Sequence, residues 1–139
     1  MEKHAPGSES CHSLVSLWKQ WDENDTTKSE IDSLMEEENY EEVHNRLCTR
    51  MAFGTAGLRG SMQAGFNHMN DLVIIQTTQG LCAHVISSIE DVKSRGIVVG
   101  FDGRHNSAKW ARLVANIFIR KGIPVYLFSQ INPTPFVVS

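Results

Sequence analysis

A glycine-rich segment in the first half of the chain carries the residues best suited to binding a charged ligand. Residues 50–66 read RMAFGTAGLRGSMQAGF, in which three glycines follow the spacing G-x-x-G-x-x-G and Arg59 stands among them. Glycines let the backbone approach a phosphate closely, and a guanidinium binds phosphate through two parallel hydrogen bonds. Thr55 adds a hydroxyl group. The pattern therefore indicates either part of a phosphate site or a glycine-bent turn with a solvated arginine.

A second polar cluster, FDGRHNS at residues 101–107, follows an apolar run and precedes a helical pattern. Proteins of the α/β class bind ligands at such strand ends, and a helix N-terminus favours an anion. Asp102 and Arg104 could form an ion pair, while His105 and Asn106 could contact a ligand. The alternative is a simple turn in which Ser107 caps the following helix.

Other kinds of site are not indicated. The glycine spacing differs from the G-x-G-x-x-G of a dinucleotide site, and the G-K-[ST] of a P-loop does not occur. The histidines and the three cysteines show no metal-ligand spacing. The cysteines therefore indicate free thiols in a reducing compartment, and the absence of a signal pattern predicts a cytoplasmic protein.

Charge is distributed unevenly along the chain. Residues 1–50 carry five basic and twelve acidic residues, a net charge of 5 − 12 = −7. Residues 51–139 carry eight basic and four acidic residues, a net charge of 8 − 4 = +4. The mildly basic second part suits a small anionic substrate, whereas the scattered lysines and arginines argue against a nucleic-acid partner. No apolar run is long enough to predict a membrane partner.

The first 51 residues predict an acidic helical segment behind a short tail. Residues 1–12 are polar and are expected to be disordered, while apolar residues at helical spacing follow over residues 13–51. The sequence TKSE at residues 27–30 is typical of a capping box, with Thr27 as the cap of the second helix. The acidic side chains of this segment are expected to form a solvated face.

Residues 52–139 predict an α/β domain. After a long helix that starts near Asn70, two short apolar runs at residues 97–101 and 123–128 have the composition of buried strands. The amphipathic helix between them makes a βαβ unit, for which a right-handed parallel connection is expected. Residues 52–66 could add a strand, so the prediction is a partial three-layer domain with a small mixed or parallel sheet.

Three segments resemble, in order, the signatures of the α-D-phosphohexomutases. FGTAGLRG at residues 53–60 resembles that family's first active-site segment, and VVGFDGRHNS and YLFSQINPTPFVV resemble the next two. MNDLVIIQTTQG and the acidic N-terminus are similar to the branch that contains phosphopentomutase and glucose-1,6-bisphosphate synthase. The resemblance covers residues 14–138, nearly the whole chain.

The resemblance implies one part of a four-domain enzyme that moves a phosphoryl group between the 1- and 5- or 6-positions of a pentose or hexose phosphate. A phosphoserine, a sugar bisphosphate intermediate and Mg²⁺ are implied for such an enzyme. By position in the motifs, Arg59 would bind a phosphoryl group, with Thr55 and Gly57 shaping the backbone around it. Asp102 and Arg104 would support the domain.

The sequence also departs from the family pattern. It contains neither the Thr-Ala-Ser-His-Asn-Pro loop of the phosphoserine nor the three-aspartate loop that holds Mg²⁺. We therefore expect no catalytic residue and no metal ligand here, and interpret residues 52–139 as most of a truncated domain I that is inactive alone. The alternative is a non-catalytic domain that binds an anion or a partner protein, with self-association through an exposed sheet edge.

Overall fold

The computed structural model describes residues 8–55, 57–133 and 135–138. Contacts within this part divide the chain into two compact units, with the division between Val73 and Ile74. No helix in the described ranges combines the length and apolarity needed to cross a membrane. The elements follow the order α1 (Ser8–Trp21), α2 (Asp25–Glu36), α3 (Tyr40–Leu47), α4 (Asp71–Ser88), α5 (Val92–Arg95), β1 (Ile97–Val99), α6 (Ser107–Arg120), β2 (Val125–Leu127) and α7 (Pro135–Val138).

The first unit has an apolar core shared by α1, α2, α3, the glycine-rich segment and the start of α4. Trp18 is fully buried at its centre, and Phe66 packs against it edge-on with the ring centroids 5.1 Å apart. The glycine-rich segment therefore belongs to the same core as the acidic helices. The buried members of this cluster are Cys11, Val15, Trp18, Ile31, Val43, Leu47, Ala64, Phe66 and Leu72.

Helix α1 begins earlier than the sequence pattern predicts. Residues 8–12, assigned above to a disordered tail, are helical, whereas residues 1–7 lie outside the described part. Cys11 is fully buried, and its thiol donates a hydrogen bond to the carbonyl oxygen of Tyr40 at 3.4 Å. Tertiary contact with α3 thus stabilises a first turn whose polar residues show no helical periodicity.

The capping box predicted at Thr27 is wrong, because the N-cap of α2 lies three residues earlier. Asn24 is the N-cap, and its side-chain oxygen accepts a hydrogen bond from the Thr26 N–H at 3.0 Å. The Thr27 hydroxyl instead donates to the carboxylate of Asp22. Glu30, the last residue of the predicted box, makes its hydrogen bonds elsewhere in the first unit.

The additional strand suggested for residues 52–66 is not formed in the described part of that segment. Only isolated bridges occur there, one between Gly54 and Gly57 and one between Met62 and Met69. The segment instead folds as a loop over the core of the first unit, since its glycines interrupt any run of paired strand residues.

The second unit contains the predicted βαβ arrangement. Strands β1 and β2 are parallel, with Val98 opposite Tyr126, and α6 connects them. Cys82, Val92, Phe118 and Ile123 form its buried cluster. This α/β arrangement confirms the predicted fold class, and the sheet has two strands in the described residues. The predicted domain boundary at residues 51/52 remains a prediction.

Candidate phosphate-binding site

A tight hairpin forms the start of the glycine-rich loop. Gly54 and Gly57 exchange two backbone hydrogen bonds, at 3.3 Å and 3.1 Å, which places Thr55 in the exposed turn between them. Gly57 has φ +89°, a left-handed conformation that favours glycine, although an added Cβ would meet nothing within 4 Å. Backbone conformation rather than space therefore requires glycine at this position.

Arg59 follows the hairpin and is exposed to solvent. Within the described residues, its guanidinium takes part in no hydrogen bond or ion pair. An exposed guanidinium can form bidentate hydrogen bonds to a phosphate without first breaking an internal ion pair. Arg59, Thr55 and Gly57 thus lie on one loop, as the sequence analysis predicts.

The two sides of the loop meet at its base. The Met51 N–H donates to the Phe66 carbonyl oxygen at 3.1 Å, and the Met69 N–H donates to the Ser61 carbonyl oxygen at 2.9 Å. The Arg50 guanidinium lies 4.7 Å from the centroid of the Phe66 ring, a cation–π geometry. Hydrogen bonds therefore close the loop, and Phe66 packs its base into the core.

An ion-pair network joins the acidic helices to this base. The Arg46 side chain is only 11% exposed and bonds to Glu30 at 2.7 Å and to Glu42 at 2.8 Å. Burial lowers the pKa of Arg46, but the hydrogen bonds and charges of the two glutamates outweigh burial, so its pKa is raised overall. The other carboxylate oxygen of Glu30 accepts a hydrogen bond from the Ala64 N–H at 3.1 Å.

Sequence reasoning missed this network. The sequence pattern places Glu30 in a capping box and assigns no role to Arg46. One local signal was available, because Arg46 follows Glu42 at the i, i+4 spacing of a helical ion pair. The contact between Glu30 and Ala64 spans 34 residues and has no signal in the local pattern.

Asn70 holds the loop from the other side. Its Oδ1 accepts a hydrogen bond from the Val73 N–H at 3.0 Å, which caps α4. Its Nδ2 donates to the carbonyl oxygens of Gln63 at 2.9 Å and Gly65 at 2.8 Å. One buried amide therefore joins the returning side of the loop to the first turn of α4.

In the second unit, Asp102 and Arg104 form the expected pair. Asp102 accepts hydrogen bonds from the Arg104 N–H at 3.0 Å and from its Nε at 2.7 Å. The backbone bond is the main reason that the pKa of Asp102 is lowered, and the guanidinium adds to the effect. The pair stabilises the turn after β1, while its role in supporting a functional site remains a prediction.

The turn after β1 differs from the predicted simple cap. Ser107 is the first residue of α6, and Asn106 takes the cap position with φ +65°. The Ser107 hydroxyl oxygen accepts a hydrogen bond from the Asp102 N–H at 3.2 Å, and His105 is exposed. Over the ranges that the structure describes, no group of three or more His, Cys, Asp or Glu side chains could hold a metal ion.

Comparison with known proteins relates the loop to a family. Residues 50–139 match the model of phosphoglucomutase/phosphomannomutase, alpha/beta/alpha domain I, and this match begins at the glycine-rich segment. The chain is 49% identical to phosphopentomutase from Homo sapiens over 126 residues, which covers 86% of this chain and 21% of that protein.

Two other relatives are similar. Glucose 1,6-bisphosphate synthase from Mus musculus is 44% identical over 143 residues, covering 96% of this chain and 23% of the relative. Phosphoribomutase from Saccharomyces cerevisiae is 43% identical over 119 residues, covering 86% of this chain and 18% of the relative. The chain thus spans about a fifth of the length of these relatives.

No solved structure gives a significant match. The family match covers more than half of the chain, and it includes both the glycine-rich loop and the βαβ unit. The chain therefore belongs to the phosphoglucomutase/phosphomannomutase family, through that family's α/β/α domain I.

Proposed function

We propose that this chain supplies the first-domain part of a sugar-phosphate mutase and that Arg59 binds a phosphoryl group there. The exposed guanidinium of Arg59, with no internal partner in the described residues, is the observation that carries the proposal. A structural arginine of the same unit, Arg46, is buried and doubly paired. Only Arg59 of these two can bind a ligand without losing internal ion pairs.

The reaction proposed is an intramolecular phosphotransfer between the 1- and 5- or 6-positions of a pentose or hexose phosphate. Relatives named phosphopentomutase, phosphoribomutase and glucose 1,6-bisphosphate synthase support this class of substrate. In such a reaction a phosphoserine and a sugar bisphosphate carry the phosphoryl group in turn. Arg59 would stabilise the charge on that group by positioned hydrogen bonds.

The other residues of the loop would act through the backbone. Gly57 permits the left-handed turn that brings the chain from Thr55 to Arg59. The exposed Thr55 hydroxyl lies in the same hairpin and could donate a further hydrogen bond to a phosphate oxygen. Asp102 and Arg104 would act only as supports of their own turn, because each already satisfies the other.

Mg²⁺ is proposed for the complete mutase as the ion that neutralises charge on the transferred group. The residues described here do not fit a magnesium site, since no cluster of three acidic or histidine ligands is formed among them. We therefore derive no step through the metal from this chain. The sequence also has no Ser-His-Asn-Pro loop, so we propose that the chain alone does not turn over substrate.

The free thiols support a reducing, cytoplasmic location. Cys11 and Cys82 are buried, Cys48 is exposed, and all three are unpaired. Unpaired cysteines are typical of proteins that fold where thiols are kept reduced.

A titration tests the proposed function. The 139-residue chain is titrated with glucose 1,6-bisphosphate, and binding is followed through the backbone and Arg59 Nε resonances in ¹⁵N NMR spectra. We expect Arg59→Ala to abolish the shifts, while Arg112→Ala, which removes an exposed arginine from α6, leaves them unchanged. Equal binding by the Arg59→Ala protein would contradict the proposal.

A turnover assay tests the proposal that the chain alone is inactive. The chain is incubated with ribose 1-phosphate, Mg²⁺ and a catalytic amount of glucose 1,6-bisphosphate, and ribose 5-phosphate is measured. We expect no product above the protein-free blank, because the sequence lacks the serine loop. Turnover that scales with protein concentration would refute the proposed inactivity.

A non-catalytic role in self-association is the second candidate, favoured by apolar side chains on the small sheet. Val98 and Tyr126 lie opposite each other across β1 and β2 and are 48% and 61% exposed. Exposed apolar patches are typical of protein interfaces. Light scattering at rising protein concentration, with Tyr126→Ser as the comparison, would show a mass increase that the substitution reduces; a concentration-independent monomer would exclude this candidate.

A further inference from the structure

We propose that Glu30, on the acidic helix α2, is a positioning residue of the phosphate site. It fixes the returning side of the loop that carries Arg59, although the two residues are 29 positions apart in the sequence. The inference deepens the function proposed above and rests on it, since Glu30 acts on the ligand only through the loop.

The two carboxylate oxygens of Glu30 have different partners. One bonds to the Arg46 guanidinium at 2.7 Å, and the other accepts the Ala64 N–H at 3.1 Å. Arg46 Nη1 in turn lies 3.5 Å from the carbonyl oxygen of Ala64. Glu30 and Arg46 together therefore contact both the N–H and the carbonyl group of Ala64. A carboxylate held by a buried guanidinium presents its second oxygen to the backbone in a defined place.

Close packing makes the loop and Arg46 one unit. Gly65 has φ +128°, and a Cβ added there would lie 2.7 Å from the carbonyl oxygen of Arg46. The loop backbone is thus in direct contact with α3 at the residue that follows Ala64. A displacement of Arg46 or Glu30 must therefore move this part of the loop, because packed interiors leave no free space to absorb it.

The anchored stretch lies close to Arg59 in the chain. Ser61 is held through its carbonyl oxygen by the Met69 N–H, and Gln63 is held through its carbonyl oxygen by Asn70. With Ala64 held by Glu30, three positions in the six residues from Arg59 to Ala64 have fixed backbone groups. Preorganisation of this kind lowers the conformational entropy lost when the loop binds a ligand.

The arrangement also explains how an acidic segment can serve a phosphate site. Glu30 and Glu42 both pair with Arg46, so the positive charge of the guanidinium offsets one of their two negative charges. An unpaired carboxylate at the same place would repel a phosphate. Glu30 can therefore hold the loop with less repulsion of an anion than an unpaired carboxylate would cause.

Two readouts in the 139-residue chain test the proposal. The first is amide hydrogen exchange at Met69 without ligand, because its N–H holds the Ser61 carbonyl oxygen and so reports on loop order independently of function. The second is the dissociation constant for glucose 1,6-bisphosphate, followed through the Arg59 Nε resonance. The variants are Glu30→Ala, Glu30→Gln, which keeps an acceptor for the Ala64 N–H, and Glu36→Ala, which removes an exposed acid from the same helix.

We expect Glu30→Ala to speed exchange at the Met69 amide and to weaken bisphosphate binding about tenfold. Glu30→Gln should recover part of both losses, because its single amide oxygen can still accept the Ala64 N–H, whereas its NH2 group cannot pair with the Arg46 guanidinium. Glu36→Ala should match wild type. If Glu30→Ala does not fold, Glu30→Asp replaces it, since the shorter side chain keeps the charge but loses the reach to Ala64.

Unchanged exchange at the Met69 amide in a folded Glu30→Ala or Glu30→Asp protein would overturn the proposal. So would equal losses in Glu30→Ala and Glu30→Gln that follow the folded fraction, since these would indicate a purely structural ion pair. If wild type binds no bisphosphate, the proposed function fails instead, and the exchange data still decide whether Glu30 orders the loop.

Discussion

Single residues of the glycine-rich loop have distinct physical roles. Gly57 is required only for its backbone conformation, because the space around its Cβ position is open. Gly65 is required for conformation and for space, because it contacts the backbone of Arg46. Arg59 and Arg46 also differ in their surroundings, because Arg59 is exposed whereas Arg46 is buried and paired. The spacing of the glycines and arginines in the sequence does not distinguish these roles.

Gly65→Ala is expected to destabilise the chain by about 2–4 kcal/mol, because it combines a left-handed φ with a steric clash. Gly80→Ala is the matched control, since this glycine lies within α4 and an added Cβ would meet nothing within 4 Å. The control should stabilise the chain by about 0.5–1 kcal/mol. Urea denaturation measures both; equal stability of the two proteins would contradict the packing described for Gly65.

His68 should make stability depend on pH. Burial and, next, the charge of Arg46 lower the pKa of His68, while the carboxylates of Glu42 and Glu30 act in the opposite direction. A histidine pKa lowered by folding means that the unfolded chain binds the proton more tightly, so stability falls as pH drops below about 6.5. Stability well above that pH should be unaffected by this group.

His68→Gln should therefore lose less stability than wild type between about pH 7.5 and pH 5.5. His84→Gln, which replaces an exposed histidine on α4, controls for the general loss of a histidine. Urea denaturation across this range measures the difference. Parallel pH profiles for wild type and His68→Gln would show that His68 is not responsible.

At the scale of the elements, hydrogen bonds at helix ends decide where the helices begin. Asn24 caps α2 and Asn70 caps α4, and each also makes a hydrogen bond beyond its own helix. Asn24 Nδ2 donates to Asp71 at 2.9 Å, across 47 residues. The caps therefore connect the helices of the first unit as well as satisfying their free N–H groups.

Asn24→Ala is expected to destabilise the first unit by about 1–2 kcal/mol, since it removes the cap of α2 and the bond to Asp71. Ser33→Ala, an exposed substitution in the same helix, should change stability by no more than about 0.5 kcal/mol. Thermal and urea denaturation give the comparison. Equal effects of the two substitutions would indicate that Asn24 does not act as a cap.

At the scale of the whole molecule, two apolar clusters stabilise two compact units. The first cluster contains Trp18 and Ile31, and the second contains Phe118 and Ile123. Helix α4 begins in the first unit and continues in the second. The glycine-rich loop belongs to the first unit and the Asp102 turn to the second.

Matched substitutions in the two clusters should act locally. Ile31→Val and Ile123→Val each remove one methylene from a fully buried side chain and should cost about 0.5–1.5 kcal/mol. Native-state hydrogen exchange should show the loss first in the amides of the unit that carries the substitution. A uniform loss of protection along the chain from both variants would indicate a single cooperative unit.

Features with local signals can be predicted from the sequence alone. The βαβ unit follows from two β-branched runs and a helical period between them, and the loop of Arg59 follows from its glycine spacing. The pair of Asp102 and Arg104 spans two residues and is local in the same sense. Motif order was enough to indicate the family to which the chain belongs.

Tertiary contacts fix how the loop is held and where α1 and α2 begin. Cys11 is buried against α3, and Glu30 reaches the backbone of Ala64 across 34 residues. Such contacts depend on which surfaces meet after folding, so neither hydrophobic periodicity nor turn-forming residues predict them. The physical reason is that a short polar stretch has several local conformations of similar free energy, and a distant partner selects one of them.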